Sequence, residues 1–106
     1  MTDSRVVDVS IIDQPQSHRF VIIADGTPAG EITYRLRDGR RVVDHVGVDT
    51  AFEGQGVGGR ATAAMLDLLR ASGEMIVPLC PFVHAYIERH PTYGDLVDHE
   101  LYAEYR

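Results

Sequence analysis

Glu53-Gly54-Gln55-Gly56-Val57-Gly58-Gly59-Arg60 lies between an apolar run ending at Val48 and a helical pattern beginning near Arg60. Four glycines in this stretch leave backbone N–H groups unshielded by side chains. At the start of a helix, where the dipole is positive, such donors form a place to hold an anion, most simply a phosphate. Glycine-rich stretches are common. The strand before this one and the helix after it give it meaning.

Upstream, residues 6–12 are β-branched and extended, and Gln14-Pro15-Gln16-Ser17 ends them. Phe20 to Ile23 reads as a second strand, closed by Asp25-Gly26. Over 29–37, Ile32, Tyr34 and Leu36 alternate with Glu31, Thr33 and Arg35, which puts the first three on one face. Asp38-Gly39 then leads into Val42–Val48. Asp-Gly between apolar runs signals a hairpin, because glycine supplies the positive φ of a tight turn. The first half reads as an antiparallel meander.

Downstream the period changes. Ala61, Ala64, Met65, Leu68 and Leu69 follow one helix face, with Arg60, Asp67 and Arg70 off it. Gly73 suits the residue after the helix, and Arg70 suits its last turn. Met75–Leu79 is a short strand, so Val42–Val48, the helix and this strand form a right-handed β-α-β unit with parallel strands. A second helix runs from about Phe82 to Arg89 and stops before Pro91. The tail around Leu101, Tyr102 and Tyr105 reads as a docked helix. Gly47 within its strand signals a bulge or a close approach, and Pro78 cannot donate to a ladder. The two parallel strands should therefore part beside the glycine loop, where open α/β sheets bind ligands. Taken singly, each feature is commonly just structural, but all three converge on one edge.

The chain has 106 residues, 44% of them hydrophobic, which suits a single domain spanning 1–106. A net charge of −6 disfavours nucleic acid and anionic membranes and accommodates a cationic partner. The lone cysteine, Cys80, excludes an internal disulfide, and no spacing suggests a metal site. No run is long enough to span a membrane, and Met-Thr-Asp-Ser-Arg lacks a signal-peptide core, so a cytoplasmic location is expected.

Gly54-x-Gly56-x-x-Gly59 formally matches a dinucleotide fingerprint, but the next strand ends Leu79-Cys80-Pro81, without the acidic residue that binds a ribose. A P-loop needs Lys and Ser/Thr after its last glycine, where this chain has Arg60 and Ala61. The order of elements instead resembles the GCN5-related N-acetyltransferase fold, an α+β, three-layer arrangement of meander, β-α-β unit and terminal helix. Its (Arg/Gln)-x-x-Gly-x-(Gly/Ala) motif is matched by Glu53 to Gly58 apart from the first residue. The chain is also similar to abbreviated members with His-Thr-x-Val, Pro-x-Cys-Pro and His-Pro segments, here His45-Val46-Gly47-Val48, Pro78-Leu79-Cys80-Pro81 and His90-Pro91. The likeness runs from about Phe20 to Val97. Glu53 and Val46 depart from it, and Glu53 should turn away from a pyrophosphate.

The resemblance implies acetyl-CoA as cofactor, with Gly54 and the amides of Gln55, Gly56, Val57, Gly58, Gly59, Arg60 and Ala61 around the pyrophosphate. Pantetheine would add to the edge of Val46 and Val48 as a pseudo-strand, with a nearby N–H as oxyanion donor. Deprotonating a lysine-type amine at pH 7 costs roughly 4–5 kcal/mol, so a base is useful. His45 fits that part, although strand histidines usually just pack. Tyr86 lies near the position of a general acid in larger members, or is simply a rim tyrosine. Cys80 follows the strand that points into the slot and precedes a helix N-terminus, and the resemblance suggests acyl-carrying or proton transfer. Its structural alternative is a buried small hydrophobe.

The expected function is acetyl transfer to an amine such as a protein lysine, an N-terminus or a polyamine. A non-catalytic acyl-CoA sensing module and a small interaction domain are the competing readings.

Overall fold

The computed structural model describes residues 7–105. Five strands, β1 (Val9–Gln14), β2 (Arg19–Ala24), β3 (Thr27–Arg37), β4 (Arg40–Val48) and β5 (Ile76–Pro78), form one sheet in sequence order. The first four pair antiparallel, and β4 pairs parallel with β5. Both Asp-Gly pairs make their hairpins, with positive φ at Asp25, Gly26, Asp38 and Gly39, as type I′ turns require. The first strand lies later than 6–12, running to Gln14, and residue 6 falls outside the described residues.

Three helices follow: α1 (Val57–Ser72), α2 (Pro81–Arg89) and α3 (His99–Ala103). On β4, Val43 joins Phe20, Ile22, Ile32 and Tyr34 in a core with Met65 and Leu69 of α1 and Val83 and Ile87 of α2. Its neighbour Val42 points the other way and packs with Val77 and Leu101 of α3. The sheet is thus sandwiched between α1 with α2 on one face and α3 on the other. Beyond α3, no other helix among the described residues packs on that second face.

Three expectations need correction. Helix α1 begins at Val57, so Gly58 and Gly59 lie inside its first turn rather than ahead of it. Its buried face includes Thr62 and Leu66, while Leu68 is exposed and Ala64 half-buried. Thr62 is buried because its hydroxyl donates to the Gly58 carbonyl at 2.8 Å, which hides its place in the apolar stripe. Leu36 is 55% exposed, because β3 outruns the helical layer.

Of the two readings of Gly47, a bulge or a close approach, the bulge lies three residues earlier, at Asp44. Thr33 pairs with His45 but Tyr34 pairs with Val43, so Asp44 is the extra residue of β4. It shifts the phase of the strand. Val43 faces the helices, Asp44 faces away and bonds the Thr33 hydroxyl at 2.7 Å, and Val46 and Val48 return to the main core.

The sheet is pinned at its other end by Arg41. Its guanidinium reaches Asp13 on β1 and Glu74 after α1, each at 2.9 Å, and lies 4.7 Å from the Tyr34 ring centroid. Tyr34 donates to Asp13 at 2.6 Å. Burial, reinforced by that bond, pushes the Tyr34 hydroxyl up to about 12. The folded chain therefore holds this proton more tightly than the unfolded chain does. The associated stability is complete below the unfolded value near 10 and is lost as pH rises through about 12. Denaturant unfolding should show this alkaline loss, and Tyr34→Phe should flatten it. An unchanged slope would show that Tyr34 is not its source.

Candidate functional site

Strands β4 and β5 stay paired for three residues, Arg41–Val43 against Ile76–Pro78. Pro78 has no N–H to offer, and the next two amides, Leu79 and Cys80, both donate to the Val43 carbonyl, at 2.9 and 3.0 Å. After this shared acceptor the chain turns into α2, while β4 continues for five residues to Val48. The Asp49 amide donates to Ala29 of β3 at 2.7 Å. By alternation the amides of Gly47 and His45 also face β3, and those of Val46 and Val48 face the side β5 has vacated. The strands part where expected, with Val46 and Val48 along the open edge.

The glycine loop enters this gap from below. Gly54 and Gly56 adopt φ of 80° and 74°, the left-handed region. Gly56 is the N-cap of α1 and no side chain caps the helix. The first-turn amides of Val57, Gly58 and Gly59 therefore lack intrahelical partners. The Arg60 amide is different: it donates to Gly56 at 3.1 Å. Ala61 continues that ladder from a fully buried position, so Arg60 and Ala61 do not offer the backbone donors assigned to them. Gln55 reaches back to the Ala51 carbonyl at 3.4 Å.

Between these elements lies a groove of about 340 Å³, walled by Val48, Phe52, Glu53, Gly54, Gly56, Gly58 and Phe82. A Cβ on Gly58 would lie 3.2 Å from the Phe82 ring and 3.6 Å from Val48. Glycine here keeps the helix start open to the groove. Glu53 is part of the wall, at the place where its carboxylate should face outward. Phe52 and Phe82 were not foreseen as site residues. Phe82 is 43% exposed at the start of α2, and a lone aromatic there gives no periodic signal. Its proximity to Gly58 is visible only in the fold.

The three residues expected to do chemistry are placed differently. Cys80 is the N-cap of α2, 4% exposed and part of the main core, beside the point where β5 leaves β4. His45 stands exposed on the second face of the sheet, next to the bulge, with its Nε2 over Gly47. Tyr86 packs near Gly59 and stacks on His90, with ring centroids 4.0 Å apart. Its ring thus flanks the first turn of α1.

The family model described as GCN5-related N-acetyl-transferase matches residues 19–96. Among solved structures, a GCN5-like protein from Staphylococcus aureus, determined by NMR, aligns with a TM-score of 0.62 and 30% identity. That alignment covers 83% of this chain and 86% of the other. No curated protein matches the chain. Among the described residues, no helix is long and apolar enough to cross a membrane.

Proposed function

The chain belongs to the GCN5-related N-acetyltransferase family, and from that premise we propose that it transfers an acetyl group from acetyl-CoA to an amine. The observation that carries this reading is the pairing of two unfilled donor sets. One is the uncapped first turn of α1, and the other is the edge of β4 left free beyond Val43. The site fits the cofactor on two further counts. Gly58 leaves open the space that a Cβ would fill, and Gly54 and Gly56 line the groove without a side chain to block it.

Acetyl-CoA, when bound, supplies an activated acyl thioester. The amides of Val57, Gly58 and Gly59 would hold its pyrophosphate. Val46 and Val48 would pair with pantetheine as a strand does. Phe82 and Phe52 would screen the arm from water. His45, on the second face, would take the proton of the incoming ammonium. Cys80 is proposed to return a proton to the departing sulfur. Acyl carrying is the alternative part, and either one needs the sulfur of this residue, 4% exposed, to reach the slot.

Calorimetry with coenzyme A and a mass-shift assay over a panel of amines test the reading. Saturable binding with an acetylated product supports it. Binding without any product would make the chain a non-catalytic acyl-CoA module, and no binding would remove both. Cys80→Ala is expected to leave coenzyme A affinity unchanged and to slow turnover at least tenfold. Undiminished turnover would reduce Cys80 to packing.

A further inference from the structure

His45 and Gly47 stand two residues apart on one face of β4, opposite Thr33 and Glu31 of β3. The His45 ring is exposed, and among the described residues nothing hydrogen-bonds it. It lies along the strand all the same. A Cβ built on Gly47 is 3.0 Å from His45 Nε2, 3.6 Å from Cδ2 and 4.0 Å from Cε1. Nε2 is therefore the ring atom brought down onto Gly47, in space that exists because residue 47 has no side chain. Backbone conformation does not call for glycine here, since Gly47 lies outside the left-handed region.

Resting on the transferase reading and on the part it gives His45, we propose that Gly47 is a positioning residue for acetyl transfer. Its bare main chain is the shelf on which the imidazole lies, with Nε2 as the atom that takes the acceptor's proton. In that step an N–H bond of the ammonium breaks and the Nε2–H bond forms. The electron pair of the broken bond stays on the amine nitrogen, which attacks the thioester carbonyl. Strand alternation gives the shelf its place. The amides of Val46 and Val48 face the vacated edge where pantetheine would pair, and His45 and Gly47 alternate with them. Leaning over Gly47 sends Nε2 along β4 toward Val48, which walls the coenzyme groove. The base is thereby held over the stretch of strand that borders the thioester arm instead of swinging in solvent. The fold would accommodate a methyl at 47 readily, because an exposed ring rotates away from it. What changes is the placement of Nε2, and a misplacement of about 1 Å can slow a reaction on the order of 100-fold.

Gly47→Ala tests the shelf. Alanine is more favourable than glycine inside a strand, so thermal stability should hold. Calorimetry should give an unchanged affinity for coenzyme A, because the Gly47 amide faces β3. With the amine that the chain acetylates best, kcat should fall about tenfold at an unchanged KM for acetyl-CoA. His45→Ala should lower kcat about 100-fold, and the double variant should be no slower than His45→Ala alone. In NMR spectra the His45 ring protons should show contacts to the Gly47 α-protons, and the ring signals should move in Gly47→Ala. A tenfold loss that persists on the His45→Ala background, or His45 ring signals that stay in place in Gly47→Ala, would overturn the positioning role and leave the transferase reading standing. A wild-type chain that binds coenzyme A and acetylates no amine would remove the transferase reading, and this role with it.

Discussion

Gly58→Val is expected to weaken coenzyme A binding at least about 100-fold, a loss near 2.7 kcal/mol. The first added carbon would sit 3.2 Å from Phe82 Cζ and 3.6 Å from Val48 Cγ2, and the two methyls beyond it would occupy the groove itself. Folding should survive. Phe82 is partly exposed and its ring can swing outward, and valine is a better helix residue than glycine by a few tenths of a kcal/mol. Calorimetry with coenzyme A, alongside thermal melting of the variant, separates the two effects. A well-folded Gly58→Val chain that binds coenzyme A as tightly as the wild type would place the ligand elsewhere.

Arg41→Ala is expected to cost about 3 kcal/mol of folding stability. The Arg41 side chain is 11% exposed and lies between Asp13 and Glu74. Its guanidinium also covers the rings of Tyr34 and Phe20, with centroids at 4.7 and 5.4 Å. Its loss strands two carboxylates that are 22% and 29% exposed and removes the cation from two aromatic faces. Lysine should not rescue it, because one ammonium cannot fork between two carboxylates as a planar guanidinium does. Denaturant unfolding measures the effect. In a domain whose total stability is of order 5–15 kcal/mol, such a loss shifts the midpoint plainly. A shift worth less than about 1 kcal/mol would mean that the network is no more than a surface ion pair.

What the sequence discloses here is mostly what local chemistry dictates. Asp25-Gly26 and Asp38-Gly39 demand their turns, Gly73 ends α1 with φ of 72°, and Pro78 terminates the ladder by lacking a donor. Each acts within a few residues. The parallel pairing of β4 with β5 follows from the helix between them. The misses depend on distant neighbours. The bulge at Asp44 is set by the register with β3, so Gly47, the residue of unusual backbone freedom, drew attention away from it. A side chain at Gly47 would crowd the imidazole of His45 overhead. Phe82 is a groove wall only because α2 brings it to Gly58. Cys80 stood at the right place in the chain, and its burial, one of the two alternatives the sequence left open, comes from the core around it.

The coenzyme site rests on amides, and amides can be watched one by one. Titrating the isotopically labelled chain with coenzyme A and following its amide spectrum is the most direct test. Shifts concentrated on Val57, Gly58 and Gly59 together with Val46 and Val48 are the expected result. A spectrum in which those five signals stay still at saturating coenzyme A, whatever else moves, would contradict the account.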